Sequence, residues 1–242
     1  MTLSPRRRLV ITGTDIGRIL GLTPASWGTL DELAAEKREQ VPPEWTPDPE
    51  RRPEDDSGAM ALGRDLEPWL LERWAFMAGD TLSTPGFVTR PGWPFWGGTP
   101  DAVASECVVE AKTVASWARK RWPADGATVG ADDVPNPHNV AQLLWYVGAC
   151  EKPRGELVVA FVPGELRDWW LRAPEHGRDQ WLAWIAGNVE LRCYNVERDE
   201  AALAHMCLEG LRWWLANVAP HHNETRALTA MVRAQCCPVV LR

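Results

Sequence analysis

An acid and a lysine two positions apart, Glu110 and Lys112, form the most informative chemical pair in this sequence. They lie in an apolar, β-favouring segment, where the period of two places both side chains on one face. A carboxylate and an ammonium group on an internal strand are costly unless they are paired or used. Asp101 lies at a turn nine residues before Glu110, and a hairpin would bring the two carboxylates together.

Two carboxylates at close range repel each other, and a hard divalent cation relieves that repulsion. Mg²⁺ prefers oxygen ligands, so Asp101, Glu110 and the backbone carbonyl of Ala111 would suit it, with Mn²⁺ as a substitute. Lys112 would orient or help to deprotonate an attacking water, or stabilise charge on a phosphate. The residues alone leave another interpretation open, in which Asp101 is a turn aspartate and Glu110 and Lys112 are a surface pair.

Two predicted helices bring further polar residues towards this constellation. Glu67 lies in the helix that precedes it in the chain, and Gln142 and Tyr146 lie in the helix that follows it. The four-residue spacing puts Gln142 and Tyr146 on one helix face.

The order of these motifs resembles the lambda-exonuclease-like, or YqaJ-type, viral recombinase family of PD-(D/E)XK nucleases over about residues 7–215. Each motif is common by itself, but their shared order is a more specific signal. The matching parts are Arg7 with VITGTD at 10–15, GRDLEP at 63–68, TPD at 99–101 with EAK at 110–112, QLLWY at 142–146, and YNVERDE at 194–200.

The resemblance implies a role for each matching position. Glu67, Asp101 and Glu110 would be metal ligands or would support one. Lys112 would be catalytic, and Gln142 would position a water or a phosphate.

The resemblance also implies a pocket for a terminal 5′-phosphate, lined by Arg7 and Thr14. Each residue has a simpler interpretation, since Arg7 could belong to a solvated basic arm and Thr14 could be a helix N-cap.

A basic and aromatic stretch follows Lys112, with Arg119 between Trp117 and Trp122. It would contact the DNA backbone and stack on a frayed base, or it would pack its tryptophans as an amphipathic helix. We also expect Tyr146 to contact DNA.

The implied activity is a Mg²⁺-dependent 5′-to-3′ exonuclease acting on double-stranded DNA ends in recombination or repair. A single-strand annealing protein as partner and a ring-like homotrimer are implied as well. Two alternatives stay open: an endonuclease of the same fold, and a catalytically silent DNA-binding or assembly subunit.

The elements that must position these residues follow from hydrophobic spacing and turn residues. They predict an α/β (α+β) domain, and the resemblance specifies a restriction-endonuclease-like core with a central mixed sheet flanked by helices. We predict helices over residues 14–20, 29–37, 57–79, 137–149 and 199–217, with Pro68 kinking the third or resetting its start. We predict strands over residues 82–89, 102–105, 107–112, 157–162 and 189–196, and a further candidate over 169–172.

The chain length of 242 residues fits a single domain. Residues 41–57 predict an exposed acidic, proline-rich insertion, and a C-terminal tail is expected from about residue 218. Residues 155–179 are either an insertion or the family's strand shifted in register.

Composition excludes several classes of protein. A net charge of −7 excludes a generally basic surface, although a local basic groove can still bind phosphate. The sequence holds no phosphate-binding GxxxxGK[ST] loop, no nucleophile elbow and no zinc-ligand spacing, and the histidines disfavour a nuclease of the HNH type or one with histidine metal ligands. No signal peptide or apolar run long enough for a membrane helix is found, so a cytoplasmic protein is expected.

Among 15 tryptophans, the adjacent Trp213 and Trp214 are not expected to point inward together, which suggests a subunit interface.

Overall fold

A computed structural model describes residues 5–38, 58–93, 95–166 and 187–221, and also Asp168, Gln180, Ala183 and Trp184. The predicted 41–57 insertion, the candidate strand at 169–172 and most of the predicted tail lie outside the described residues. The helices are α1 Gly13–Ile19, α2 Leu30–Arg38, α3 Gly58–Ala78, α4 Pro137–Ala149 and α5 Glu200–Asn217. The strands are β1 Val88–Thr89, β2 Gly97–Gly98, β3 Ala102–Val103, β4 Cys107–Ala115, β5 Arg154–Val162 and β6 Glu190–Glu197. Short 3₁₀ helices are η1 Pro5–Leu9, η2 Ala25–Trp27, η3 Ser116–Arg121, η4 Ala131–Asp133 and η5 Ala219–His221.

The central sheet has the order β3-β4-β5-β6. Strands β4 and β5 are parallel, whereas β3 pairs with β4 and β6 pairs with β5 in antiparallel fashion. The helix α4 lies between β4 and β5 in the chain, as a parallel pair requires a crossover connection. The predicted mixed sheet flanked by helices is therefore confirmed.

The two faces of β4 belong to two different hydrophobic cores, as the alternation of its side chains predicts. Val108 packs into the core that contains α1, α4 and α5 residues. Val109 and Ala111 pack into the core built around α3. Since Glu110 and Lys112 share the period of Val108, they lie on the α4 face.

Strand β3 is too short to accompany β4 along its whole length. It pairs through Ala102 with Val109 and through Val103 with Val108. Among the described residues, the ladder on this side therefore ends just before Glu110. The chemically interesting half of β4 lies beyond that end, with α3 on one face and α4 on the other.

Helix caps explain where three helices begin. Thr12, and not the expected Thr14, is the N-cap of α1, and it forms a capping box with Asp15. Thr29 forms the same type of box with Glu32 at the start of α2. Asp199 caps α5 by accepting from the Ala201 and Ala202 amides.

Several element boundaries differ from the sequence-based expectations. Helix α3 continues through Pro68 and does not restart there, because tertiary packing outweighs one lost backbone hydrogen bond. Of the predicted strand at 82–89, only Val88–Thr89 is a strand, and Ser83 adds a single bridge to Val103. Residues 155–162 are not an insertion, since they form most of β5 next to β4.

The C-terminal part of the fold corrects one further expectation. Trp213 and Trp214 are both buried, at 8% and 3% exposure, because α5 is covered on a wide face. Val218 and Ala219 are buried as well, where the tail is predicted to begin. None of the described helices combines the length and hydropathy that a bilayer crossing requires.

Candidate active site

Glu110 is the most deeply buried of the predicted site residues, with a side chain that is 0% exposed. Its Oε1 atom accepts a hydrogen bond from the Lys112 ammonium group at 2.7 Å and another from the side-chain amide of Gln142. Its Oε2 atom is buried and has no hydrogen-bond partner. A buried carboxylate oxygen without a donor is costly, and it marks a position that a cation would satisfy.

Asp101 stands at the end of the β3 ladder and reaches across to β4. Its Oδ2 accepts the backbone N–H of Ala111 at 2.9 Å. In a strand, the N–H and C=O of one residue point to the same side. The Ala111 carbonyl therefore lies on the Asp101 side of β4, where the sequence analysis expects a ligand.

The carboxyl groups of this site hold their protons more tightly than usual. Burial, reinforced by the charge of Asp101, raises the pKa of Glu110 to about 8. Burial and the same neighbour raise the pKa of Glu67, on α3, to about 7. Burial also raises the pKa of Asp101, although Lys112 and the Ala111 amide oppose this. The shared cause is a cluster of acids in a largely dry site.

Lys112 is the cation of this cluster. Burial lowers its pKa, but the carboxylates of Glu110 and Asp101 outweigh that effect and raise it overall. The ammonium group therefore stays charged and acts as a fixed positive charge and donor. Its side chain retains 23% exposure, so it borders the solvent side of the site.

The donor set fits a magnesium-like cation. Within the described ranges, no three His, Cys, Asp or Glu side chains form a complete metal cage. Mg²⁺ does not need one, because it binds through one or two carboxylates and keeps several waters. Asp101, the unpartnered oxygen of Glu110 and the Ala111 carbonyl offer hard oxygen ligands, and Glu67 lies near enough to repel them.

Helix α4 supports this group through the two residues that the i, i+4 spacing singled out. Gln142 binds Glu110 directly. Tyr146 is only 3% exposed, and burial raises its pKa. Because Tyr146 is buried, it packs behind the site, whereas the sequence predicts that it contacts DNA.

Two glycines allow other segments to pack closely against Gln142 and Tyr146 of α4. A Cβ on Gly13 would lie 2.7 Å from Cγ of Gln142 and 2.9 Å from Cζ of Tyr146. A Cβ on Gly98 would lie 2.6 Å from Cε1 of Tyr146, and its φ of +146° also favours glycine. The first turn of α1 and strand β2 therefore both pack closely against α4 at the site.

The N-terminal segment is attached to the same region. Burial and the charge of Glu110 raise the pKa of Tyr146, and the Arg7 guanidinium partly opposes this rise, as a positive charge on this side of the molecule would. Thr14 lies in the first turn of α1 and is partly exposed. The geometry is compatible with the predicted phosphate pocket, which stays a prediction.

A buried ion pair that sequence reasoning missed holds this segment in place. Lys37 Nζ lies 2.6 Å from Asp15 Oδ2 and also donates to the Arg7 carbonyl at 2.7 Å. Lys37 is 1% exposed and Asp15 5% exposed. The Thr12 to Asp15 capping-box spacing signals half of this arrangement, whereas no local pattern marks Lys37 as a buried cation.

The basic and aromatic stretch after β4 contains one buried and one exposed tryptophan. Trp122 is buried and stacks on Tyr194, whereas Trp117 is 75% exposed. Arg119 lies between them in η3 and forms an ion pair with Glu190 at 2.5 Å. An exposed tryptophan and a half-exposed arginine therefore remain at the surface beyond the end of β4.

Comparison with known proteins agrees with this fold. The family model described as YqaJ-like viral recombinase domain matches residues 4–151. Among solved structures, the alkaline exonuclease of Laribacter hongkongensis superimposes with a TM-score of 0.59 at 16% identity, over 93% of this chain and 96% of that one. Its complex with dAMP gives 0.57 at 16% identity, over 97% of each chain. A phage-related exonuclease from Haemophilus somnus 129PT gives 0.55 at 9% identity, over 85% of this chain and 93% of that one. A comparison with curated protein sequences gave no match.

Proposed function

The chain belongs to the YqaJ-like viral recombinase family, and on that premise we propose that it is a metal-dependent DNA exonuclease. It hydrolyses phosphodiester bonds at double-stranded ends, in the 5′-to-3′ direction, with Mg²⁺ as its cofactor. The observation that carries this proposal is the buried, unpartnered Oε2 of Glu110 beside Asp101, Lys112 and Gln142. The exonuclease structures with the same fold support it.

The residues divide the work of the reaction as follows. Asp101, Glu110 and the Ala111 carbonyl would hold the metal, with Glu67 as a further ligand or support. When bound, the metal supplies a Lewis acid that polarises a phosphate oxygen and lowers the pKa of a water. Gln142 fixes the orientation of Glu110 through Oε1. Lys112, which stays protonated, stabilises the negative charge that develops on the phosphate.

The DNA end would lie against the surfaces on either side of this centre. Arg7 and Thr14 bind the terminal 5′-phosphate. Arg119 contacts the backbone further along, where it must exchange Glu190 for a phosphate. Tyr146 is buried, so in this proposal it supports the site from behind by packing. A ring-like homotrimer around DNA, a single-strand annealing partner and a cytoplasmic location complete the proposal, and light scattering of the purified protein tests the trimer.

The decisive experiment compares linear and circular duplex DNA, with Mg²⁺ and with EDTA, for the wild type and for Glu110→Gln. We expect loss of the linear DNA only, in Mg²⁺ only, and no loss with the variant. Glu106→Gln is the matched control, because Glu106 is an exposed acid in the turn before β4.

Each other outcome identifies an alternative. Cleavage of circular DNA indicates an endonuclease of the same fold. Binding without degradation under every condition indicates a silent DNA-binding or assembly subunit. A comparison of 5′-phosphate and 5′-hydroxyl ends then tests Arg7, since Arg7→Ala should abolish any preference between them.

A further inference from the structure

One tryptophan near the site is exposed although the fold holds it firmly. Trp27 is 49% exposed, whereas Trp96 and Trp145 are almost completely buried. It ends η2, the short 3₁₀ helix that connects α1 with α2. Exposing a large aromatic ring to water is unfavourable, so the exposed position of Trp27 suggests that it binds something.

The backbone that carries Trp27 is braced. Arg18, at the end of α1, donates from Nη2 to the Trp27 carbonyl at 2.5 Å. Gly28 follows with a φ of +102°, and a Cβ there would lie 2.0 Å from Nη2 of Arg18. Only glycine allows both the backbone conformation and the arginine contact. The ring is therefore presented by a fixed turn.

The ring itself is held against α4 beside the candidate active site. It meets His138 edge-on, with 4.7 Å between ring centroids and an interplanar angle of 63°. His138 is 9% exposed and is packed in turn against Gly17 of α1. The Trp27 side chain is about half exposed although it makes this contact.

The position of this ring relative to the carboxylates follows from the helix geometry. His138 and Gln142 are four residues apart, so they lie on one face of α4 and about 6 Å apart along its axis. Gln142 binds Glu110. Trp27 therefore packs on a residue that lies one helical turn from Gln142, which orients the central carboxylate.

We propose that Trp27 is a stacking platform for the nucleobase at the DNA end, next to the scissile phosphate. The inference rests on the proposed function, because only a DNA substrate places a base there. Every base has a π face, so stacking on a rigid indole positions a strand end without selecting its sequence. Leu30 is also exposed nearby, at 42%, and makes a protein interface the competing role for this surface.

The test uses a blunt duplex with a 5′-phosphate and 2-aminopurine as the terminal base. Fluorescence is titrated with protein in EDTA, and degradation of the same duplex is measured in Mg²⁺. We expect quenching with the wild type and with Trp27→Phe, and little quenching with Trp27→Ala. The alanine variant should also show an approximately tenfold higher KM for DNA ends, in line with the loss of one stacked base.

Phe76→Ala is the matched control, since Phe76 is 77% exposed near the C-terminal end of α3, nine residues beyond Glu67. It should quench and degrade like the wild type. Circular dichroism and thermal melting check that each variant is folded, and Trp27→Leu replaces any alanine variant that is not.

The outcomes separate the two proposals. A wild type that neither binds nor degrades the duplex overturns the proposed function and this inference with it. Wild-type degradation combined with unchanged quenching and KM in Trp27→Ala overturns the stacking role alone. A change in oligomeric mass in Trp27→Ala, with quenching retained, assigns the ring to a subunit interface and also overturns it.

Discussion

The side-chain amide of Gln142 donates to one oxygen of Glu110 and leaves the other oxygen of the same carboxylate buried without a partner. The amide therefore determines that Oε2, and not Oε1, of Glu110 is available to a ligand. Since α4 is packed on the sheet along its length, the orientation of Glu110 is set before any ligand arrives.

Removal of this amide should weaken catalysis without unfolding the protein. Gln142→Ala frees Glu110 to rotate, and loss of such an orienting contact typically costs 10- to 100-fold, so we expect kcat to fall by about that factor. The measurement is the rate of degradation of linear duplex at saturating Mg²⁺. Asn188→Ala is the control, because Asn188 is an exposed amide that donates to the Trp184 carbonyl. An unchanged kcat in Gln142→Ala would show that Glu110 needs no orientation.

Binding of Mg²⁺ should release protons. Without metal, Glu110 and Glu67 have pKa values of about 8 and about 7, and a cation binds their ionised forms. The apparent Kd for Mg²⁺ should therefore fall as pH rises from about 6 to 8, by up to about tenfold per pH unit for each proton displaced. Calorimetry in two buffers of different ionisation enthalpy measures the protons directly. Equal heats in both buffers would contradict the prediction.

The metal-free protein should lose stability as pH rises through the same range. The folded chain keeps the Glu110 proton up to a pKa of about 8, whereas the unfolded chain releases it near the ordinary value of 4.5. More protons are bound in the folded state between these values, so the free energy of unfolding decreases with pH, by up to about 1.4 kcal/mol per unit. Urea unfolding in EDTA at several pH values measures this slope.

Glu110→Gln should reduce that slope, because the amide does not titrate while Glu67 and Asp101 still do, and Glu106→Gln should leave it unchanged. A slope that is the same in all three proteins would assign the pH dependence to other groups.

Gly13 should not accept a side chain. The new Cβ of Gly13→Ala would press on Gln142 and Tyr146 at 2.7 and 2.9 Å, both on a packed helix. We expect a loss of about 1–3 kcal/mol in the free energy of unfolding, together with reduced kcat through the displaced Gln142. Gly164→Ala is the control, since open space surrounds that position and the change should stay within about 0.5 kcal/mol. Equal stability of the two variants would refute the close packing of α1 on α4.

The Lys37–Asp15 ion pair should be a major determinant of stability. Lys37→Met leaves a buried carboxylate without its cation, which typically costs about 3–5 kcal/mol. Arg212→Met breaks an exposed pair with Glu209 and should cost less than about 1 kcal/mol. Urea unfolding compares them. Lys37→Met combined with Asp15→Asn should recover part of the loss, and failure to do so would indicate that lost packing explains the effect.

Sequence patterns predicted the local parts of this site better than its surroundings. The period of two correctly placed Glu110 and Lys112 on one face, and the four-residue spacing correctly placed Gln142 and Tyr146 on one side of α4. The hairpin that carries Asp101 to β4 was also predicted. These features depend on neighbours in the chain.

The features that were missed depend on distant contacts. The burial of Lys37 comes from α1, α2 and η1 meeting, and no local periodicity encodes that meeting. Helix α3 passes through Pro68 because it packs on the sheet on both sides of the proline, through Leu66 before it and Leu70 after it. Trp213 and Trp214 are both buried because α5 is covered over more than one stripe of its surface.

The length of β3 has a consequence for the proline of the TPD motif. If the pairing of Ala102 with Val109 continued upstream, Pro100 would come to lie opposite Ala111. A proline has no N–H to give, so it terminates the ladder and leaves the Ala111 carbonyl available to a ligand. The TPD motif thus places the residue that ends the β3 ladder, Pro100, directly before Asp101. A replacement of Pro100 that let β3 grow by two residue pairs, so that position 100 paired with Ala111, would occupy the Ala111 carbonyl and silence the site while every charged side chain stayed in place.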